Sequence, residues 1–178
     1  TRAFIADPHF PKKLMEGRED QIRECVGSSY CLDRVGLGID ALCIQNAATA
    51  REETMPHVVP KSANGKRRVV VVGAGPGGLE AARVSAEGGH EVVLFERGGE
   101  TGGQINLAAR VGWREPLSGI TRWLDGQVQK LGVDLRLGRE ASAEDVLAES
   151  PAVVVLATGG TPNKGWFKGA ELCDTTWD

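Results

Sequence analysis

The chain has 178 residues, 41% hydrophobic and 25% charged, with a formal net charge of −3. That is enough apolar content for one domain plus an appendage, within the range of ordinary soluble proteins. The slight acidity, and the lack of any Lys/Arg cluster interleaved with aromatics, exclude a nucleic-acid surface. The longest apolar runs, Val69–Val72 and Ala152–Ala157, are far too short for a membrane span. Thr1 opens the chain with neither an initiator methionine nor a signal pattern, and Trp177-Asp178 closes it without a stop signal. Both ends read as cut from a longer, cytoplasmic protein.

Residues 1–57 hold three of the four cysteines and few strand-like runs. Two short helices are expected there. One is Pro11–Glu16, with proline in a first turn and Gly17 just past its end; the other is Glu19–Glu24. Residues 58–66 read as an exposed linker, because Pro60, Ser62 and Asn64-Gly65 interrupt any periodicity.

From residue 67 the pattern becomes β-α-β, and the expectation is an α/β, Rossmann-like parallel sheet over 67–178. Strand one is Arg67–Val72. Leu79, Ala82 and Ala86 then fall on one face of a helix, and Glu91–Glu96 is the second strand. A helix from about Pro116 to Leu131 carries the stripe Leu117, Ile120, Leu124, Val128 and Leu131. Val133–Leu137 alternates like a half-buried strand, and Ser142 to Asp145 predicts a capping box for a helix through Glu149. Val153–Leu156 is a continuous apolar run of the kind a central parallel strand shows when both faces are covered.

The strongest functional signal lies between strand one and the first helix. Gly73-x-Gly75-x-x-Gly78 follows four valines and opens directly into the helix-forming Leu79-Glu-Ala-Ala82. Gly73 allows a sharp turn and Gly75 lets backbone approach a pyrophosphate. Gly78 lets the helix pack on the strand, so the phosphate rests on the helix N-terminus beside Pro76 and Gly77. Glu96 closes the second strand with a carboxylate suited to a ribose 2′- and 3′-hydroxyl pair. Arg97 and the later Gly102-Gly103-Gln104 can fold the backbone over the nucleotide. Ala157-Thr158-Gly159 ends a buried strand in a small-residue turn that passes close beside it. A glycine-rich turn alone is weak evidence in a chain with 24 glycines; its position between strand, helix and acid makes it specific.

Cys25, Cys31 and Cys43 form a second candidate site. Three neighbouring cysteines in a chain without disulfide character suggest a metal or iron–sulfur site, and Gly27, Gly36 and Gly38 would let loops converge on it. The plainer alternative is small buried structural cysteines.

Taken together, the three glycine motifs resemble the two-dinucleotide-domain flavoproteins, in which this domain holds the adenylate half of FAD, or ADP alone. The upstream segments Arg2-Ala-Phe-Ile-Ala-Asp-Pro8, Pro11-Lys12, Gly17-Arg18, Ile22-Arg23-x-Cys25 and Cys43-Ile-Gln-Asn46 resemble the junction of one group. This is the iron–sulfur flavoenzyme family of NADH:flavin oxidoreductases, which includes 2,4-dienoyl-CoA reductase, trimethylamine dehydrogenase and N-methyl-amine demethylases. The resemblance implies a barrel end and iron–sulfur-type connector over 1–57, a linker over 58–66, and the first part of an FAD/ADP domain over 67–178. It further implies an FMN-bearing barrel and an NAD-type domain elsewhere in the same chain, a small-molecule substrate and a homo-oligomeric intact enzyme. Arg2 matches the arginine that holds the FMN phosphate.

One departure stands out: Ser28 occupies the place of the family's second cysteine, and eleven residues separate Cys31 from Cys43. The connector could use Ser28 or an outside group as fourth ligand, hold a three-iron cluster, or hold none. The expected activity is electron transfer among a nicotinamide or other acceptor, FAD, a cluster and FMN. The substrate would be an N-methylated amine or betaine, or an unsaturated acyl-CoA. A non-catalytic ADP-binding or electron-transfer module with structural cysteines is the alternative. No acid/base pair stands out: His9, His57 and His90 are isolated, Trp123 reads as a packing residue, and Glu144 with Asp145 reads as a helix cap.

Overall fold

A computed structural model describes residues 1–175 and 177. Upstream of residue 58 it contains α1 (Arg2–Ala6), α2 (Phe10–Met15), a 3-10 turn at Glu19–Gln21 and α3 (Tyr30–Gly36). Pro11 lies in the first turn of α2, and Gly17 leaves it at φ +65°. The expected helix Glu19–Glu24 shrinks to the 3-10 turn, because Ile22 is already extended (φ −72°, ψ 124°) and commits the following residues to packing.

The rest is an α/β layer structure. Strands β1 (Arg68–Val72), β2 (Glu91–Phe95), β3 (Asp134–Arg136) and β4 (Val153–Leu156) form one parallel sheet in the order β3-β2-β1-β4. Helices α4 (Pro76–Glu87), α5 (Gln104–Ala108), α6 (Ser118–Lys130) and α7 (Ala143–Ala148) connect them. A 3-10 turn at Gly112–Leu117 takes the first residues of the expected helix 116–131; Pro116, which has no N–H, falls inside that turn.

Strand alternation divides the core. Val69, Val71, Val92 and Leu94 face α4 and α6 with Leu79, Ala82, Ile120, Leu124 and Val128. Val70, Val93 and Phe95 face the other way, against Val146 of α7. The cap of α7 forms as its sequence predicts: Ser142 Oγ accepts from the Asp145 N–H, and Asp145 accepts from the Ser142 N–H.

Val153–Leu156 departs from expectation. It is not covered on both faces: β4 pairs with β1 alone among the described strands, and Val153, Val154 and Leu156 are exposed, the last at 76%. Only Val155 packs against the core. The valine run still makes a parallel strand, but α4 reaches only its Val155 face and no fifth strand among the described residues shields its other edge.

Candidate dinucleotide site

After β3 the chain crosses back over β2 and β1 to add β4 on the far side of β1. The carboxyl ends of β1 and β4 therefore flank a topological switch point, where open α/β sheets bind ligands. Gly73 and Ala157 meet at that point. Gly73 has φ +101°, and a Cβ there would lie 2.4 Å from the Ala157 carbonyl oxygen. At Gly78 a Cβ would lie 1.8 Å from the Gly73 oxygen and 3.2 Å from the Ala157 Cβ. These two glycines are demanded by protein packing, since strand and helix cannot approach this closely with any side chain.

Gly75 and Gly77 differ: a Cβ on either would meet nothing within 4 Å. Gly75 is the N-cap of α4 in extended backbone (φ −70°, ψ 179°), and Pro76 occupies the first turn. The space before the helix is open, and the first N–H groups of the helix have no intrahelical partner. They and the positive end of the helix face that space, which suits a pyrophosphate.

The other predicted residues close around it. Glu96 accepts from the Ala74 N–H (2.7 Å) through one carboxylate oxygen and from the Gly98 N–H (2.7 Å) through the other. The carboxylate is thereby held at the rim of the glycine turn. It has about four acceptor sites, so capacity remains for a ribose diol. Gly103 (φ +53°) stacks on the turn, its notional Cβ 3.2 Å from Gly75 Cα. Gln104 Nε2 donates to the Gly160 carbonyl at 3.2 Å, joining the start of α5 to the Ala157-Thr158-Gly159 turn. Thr158 and Gly159 are exposed, and so is Arg97.

Sequence reasoning underrated Gly102. Its φ is +112°, its N–H donates to Ala74 O at 2.8 Å, and a Cβ would lie 2.2 Å from Asn106 Oδ1. Paired glycines signal such a turn, but which of the two is sterically required depends on contacts made across the fold.

Residues 67–177 match the pyridine nucleotide-disulphide oxidoreductase family. The chain belongs to this family. Among curated relatives it is 55% identical to N,N-dimethylglycine/sarcosine dehydrogenase of Chromohalobacter salexigens, covering 100% of this chain and 27% of that protein. It is 50% identical to a probable N-methylproline demethylase of Rhizobium meliloti, covering 100% of this chain and 26% of the relative. The solved complex of 2-naphthoyl-CoA reductase superposes with a TM-score of 0.90 at 35% identity, over 96% of this chain and 26% of that one. The chain thus spans about a quarter of the length of these relatives. Its family and relatives support a flavin cofactor.

The remaining predicted residues lie apart from the glycine cradle of this pyridine nucleotide-disulphide oxidoreductase domain. Arg2 sits exposed in the first turn of α1, without an ion pair among the described residues. Cys25 is exposed, Cys31 lies within α3, Cys43 is half-buried, and all are free. Among the described residues no three His, Cys, Asp or Glu are grouped to hold a metal ion. His9 and His57 pack edge to face at 6.2 Å, and His90 Nδ1 accepts from the Arg67 N–H; none is near the glycine turn in hydrogen bonding. No described helix is long and apolar enough to cross a membrane.

Proposed function

We propose that the chain is the adenine-dinucleotide-holding part of a multidomain flavin-dependent oxidoreductase that removes a methyl group from a small N-methylated amino acid or amine. The observation that carries the nucleotide half is the contrast within one turn. Gly73 and Gly78 are closed by protein atoms, while Gly75 and Gly77 open onto empty space at a helix N-terminus. The substrate class is supported by the two relatives at 55% and 50% identity, whose names specify dimethylglycine, sarcosine and N-methylproline. The acyl-CoA reductase stands lower, at 35%.

In this reading each residue binds or orients. The free N–H groups at the start of α4 hold the pyrophosphate, Glu96 accepts from the ribose hydroxyls, and Gly103, Gln104 and Gly159 wall the far side. FAD, when bound, supplies two-electron chemistry, whereas ADP supplies none. The net reaction of the parent would convert an N-methyl amine and water to the demethylated amine and formaldehyde, releasing two electrons and two protons to the flavin and then to an acceptor.

The cysteines are given no step. Three thiols with Ser28 in the place of the second cysteine do not fit a four-thiolate cluster, and serine oxygen is a poor substitute for thiolate at iron–sulfur centres. Arg2 would contact an FMN phosphate in the complete enzyme.

Full-length protein mixed anaerobically with N,N-dimethylglycine, sarcosine or N-methylproline should bleach its flavin absorbance and release one formaldehyde per reduced flavin. Flavin that stays oxidised with all three would overturn the substrate class. A colourless protein holding ADP would favour the non-catalytic module.

A further inference from the structure

Residues 20–26 lie against α6, and one of their side chains reaches three separate parts of the chain. The Arg23 guanidinium, its side chain only 11% exposed, stacks 4.0 Å from the centre of the Trp123 ring. Its Nη2 lies 3.8 Å from Glu80 Oε1 on α4, and its Nη1 donates to the Gln45 carbonyl. Its backbone N–H donates to the buried Asp7 carboxylate at 3.0 Å. Trp123 is itself fixed, since its indole N–H donates to Gln21 O at 3.0 Å and Arg83 covers it at 5.6 Å. Arg83 is held by Glu80 and Glu87.

A second observation comes from the surface that receives this segment. Gly119, in the first turn of α6, has no Cβ; one placed there would lie 2.8 Å from Glu24 Oε1 and 3.2 Å from Val26 Cγ1. Val26 enters the same core cluster as Ile120 and Leu124. Glu24 pairs with Arg122, and Lys130 approaches Asp20 at 3.9 Å. Helix α6 is thus shaped to take the segment that carries Cys25. The Gln45 carbonyl that Arg23 holds lies two residues after Cys43 in the chain.

We infer that Arg23 is a positioning residue that locks the cysteine-bearing segment onto α4, the helix whose first turn forms the phosphate cradle. Arg suits the task because its flat cation stacks on Trp123 while its fork reaches a carboxylate and a carbonyl together. Lysine has the charge but not the fork. The consequence is a fixed spacing between the segment that carries Cys25 and the start of α4, set by α4 and α6 together. This holds whichever substrate the parent enzyme oxidises.

The test uses purified full-length protein as wild type, Arg23→Met, Arg23→Lys and Glu80→Gln. Cys25 and Cys43 alkylation by iodoacetamide is followed by mass spectrometry, alongside bound nucleotide per chain and thermal midpoint. The inference predicts that Arg23→Met raises Cys43 alkylation about tenfold or more, with nucleotide content unchanged, because only the docked segment opens. Arg23→Lys and Glu80→Gln should fall between Arg23→Met and wild type. Cys43 alkylation within about twofold of wild type in Arg23→Met would overturn it. So would joint loss of cysteine protection and bound nucleotide, since Arg23 would then support the whole fold rather than the docking of one segment.

Discussion

Between β1 and β4 the chain is organised by backbone: ladder hydrogen bonds, strand alternation and glycines packed against carbonyls. Upstream of residue 58, side chains do that organising. Asp7 is 4% exposed and accepts from the His9 N–H, the Arg23 N–H and Lys13 Nζ. Asn46 Nδ2 and Thr49 Oγ1 both donate to the Ile5 carbonyl, at 2.9 and 3.1 Å. The sheet region repeats a pattern that neighbouring residues share, so one polar substitution leaves most of its order intact. Residues 1–57 have no strand among them and few apolar core positions, so each buried polar group matters individually. The two regions should fail in different ways.

The largest effect is expected at Gly78. Gly78→Ala would force its Cβ to within 1.8 Å of the Gly73 oxygen, separating helix from strand at a cost of at least about 3 kcal/mol. Urea denaturation should show the loss, and bound nucleotide should fall with it. Within residues 1–57, Asp7→Ala removes the acceptor of three donors and leaves the Lys13 ammonium with the Gln21 carbonyl but no counter-charge, for on the order of 3 kcal/mol of local stability. Trypsin should then cut faster at Arg18 and Arg23 while nucleotide content holds. Loss of nucleotide in Asp7→Ala would break the comparison by showing the two regions to be one cooperative unit.

Gly75→Ala sharpens the contrast within the glycine turn. Its Cβ meets no protein atom, so stability should fall by only about 1 kcal/mol, the usual scale for an N-cap change. Nucleotide affinity, measured by calorimetry, should fall on the order of 100-fold, about 2.7 kcal/mol, because the Cβ would fill the space proposed for the pyrophosphate. The smallest effect concerns acid. Hydrogen bonds from the Ser142 backbone, then Arg139, hold the Asp145 carboxyl at about 2, below its ordinary 3.8. A depressed value means that its stabilisation is complete above pH 3.8 and fades as pH falls through about 2. Wild type and Asp145→Asn should therefore differ in thermal midpoint at neutral pH and converge near pH 2.

The sequence makes the sheet legible because periodicity reports directly on burial. The four valines of β1, the Ile120, Leu124 and Val128 part of the expected stripe and the Ser142 cap read correctly, whereas Leu131 lies past the end of α6 and is exposed; the bounds of the strands shift by only a residue or so. Three short helices carried no comparable signal. Helix α3 begins after Ser29 at φ 60° without a side-chain cap bond, and α1 and α5 span five residues each. Segments this short are helical only where tertiary contacts hold them. Within the site, Gly73, Gly78 and Glu96 could be read from spacing, because a strand–turn–helix unit is local. The Arg23–Trp123 stack could not, since the partners lie far apart in sequence and meet only after the sheet forms. The exposure of β4 was equally illegible, because an apolar run states what a strand can bury and not what covers it.

Release and identification of the nucleotide carried by the native full-length protein tests the account most directly. Heat or acid treatment followed by chromatography and mass spectrometry should yield close to one FAD or ADP per chain. The same treatment of Gly75→Ala, folded to the same thermal midpoint within a few degrees, should yield little. A wild-type protein that carries no adenine nucleotide, and that binds neither FAD nor ADP when they are added, would contradict the assignment of the Gly73–Gly78 turn as a phosphate cradle.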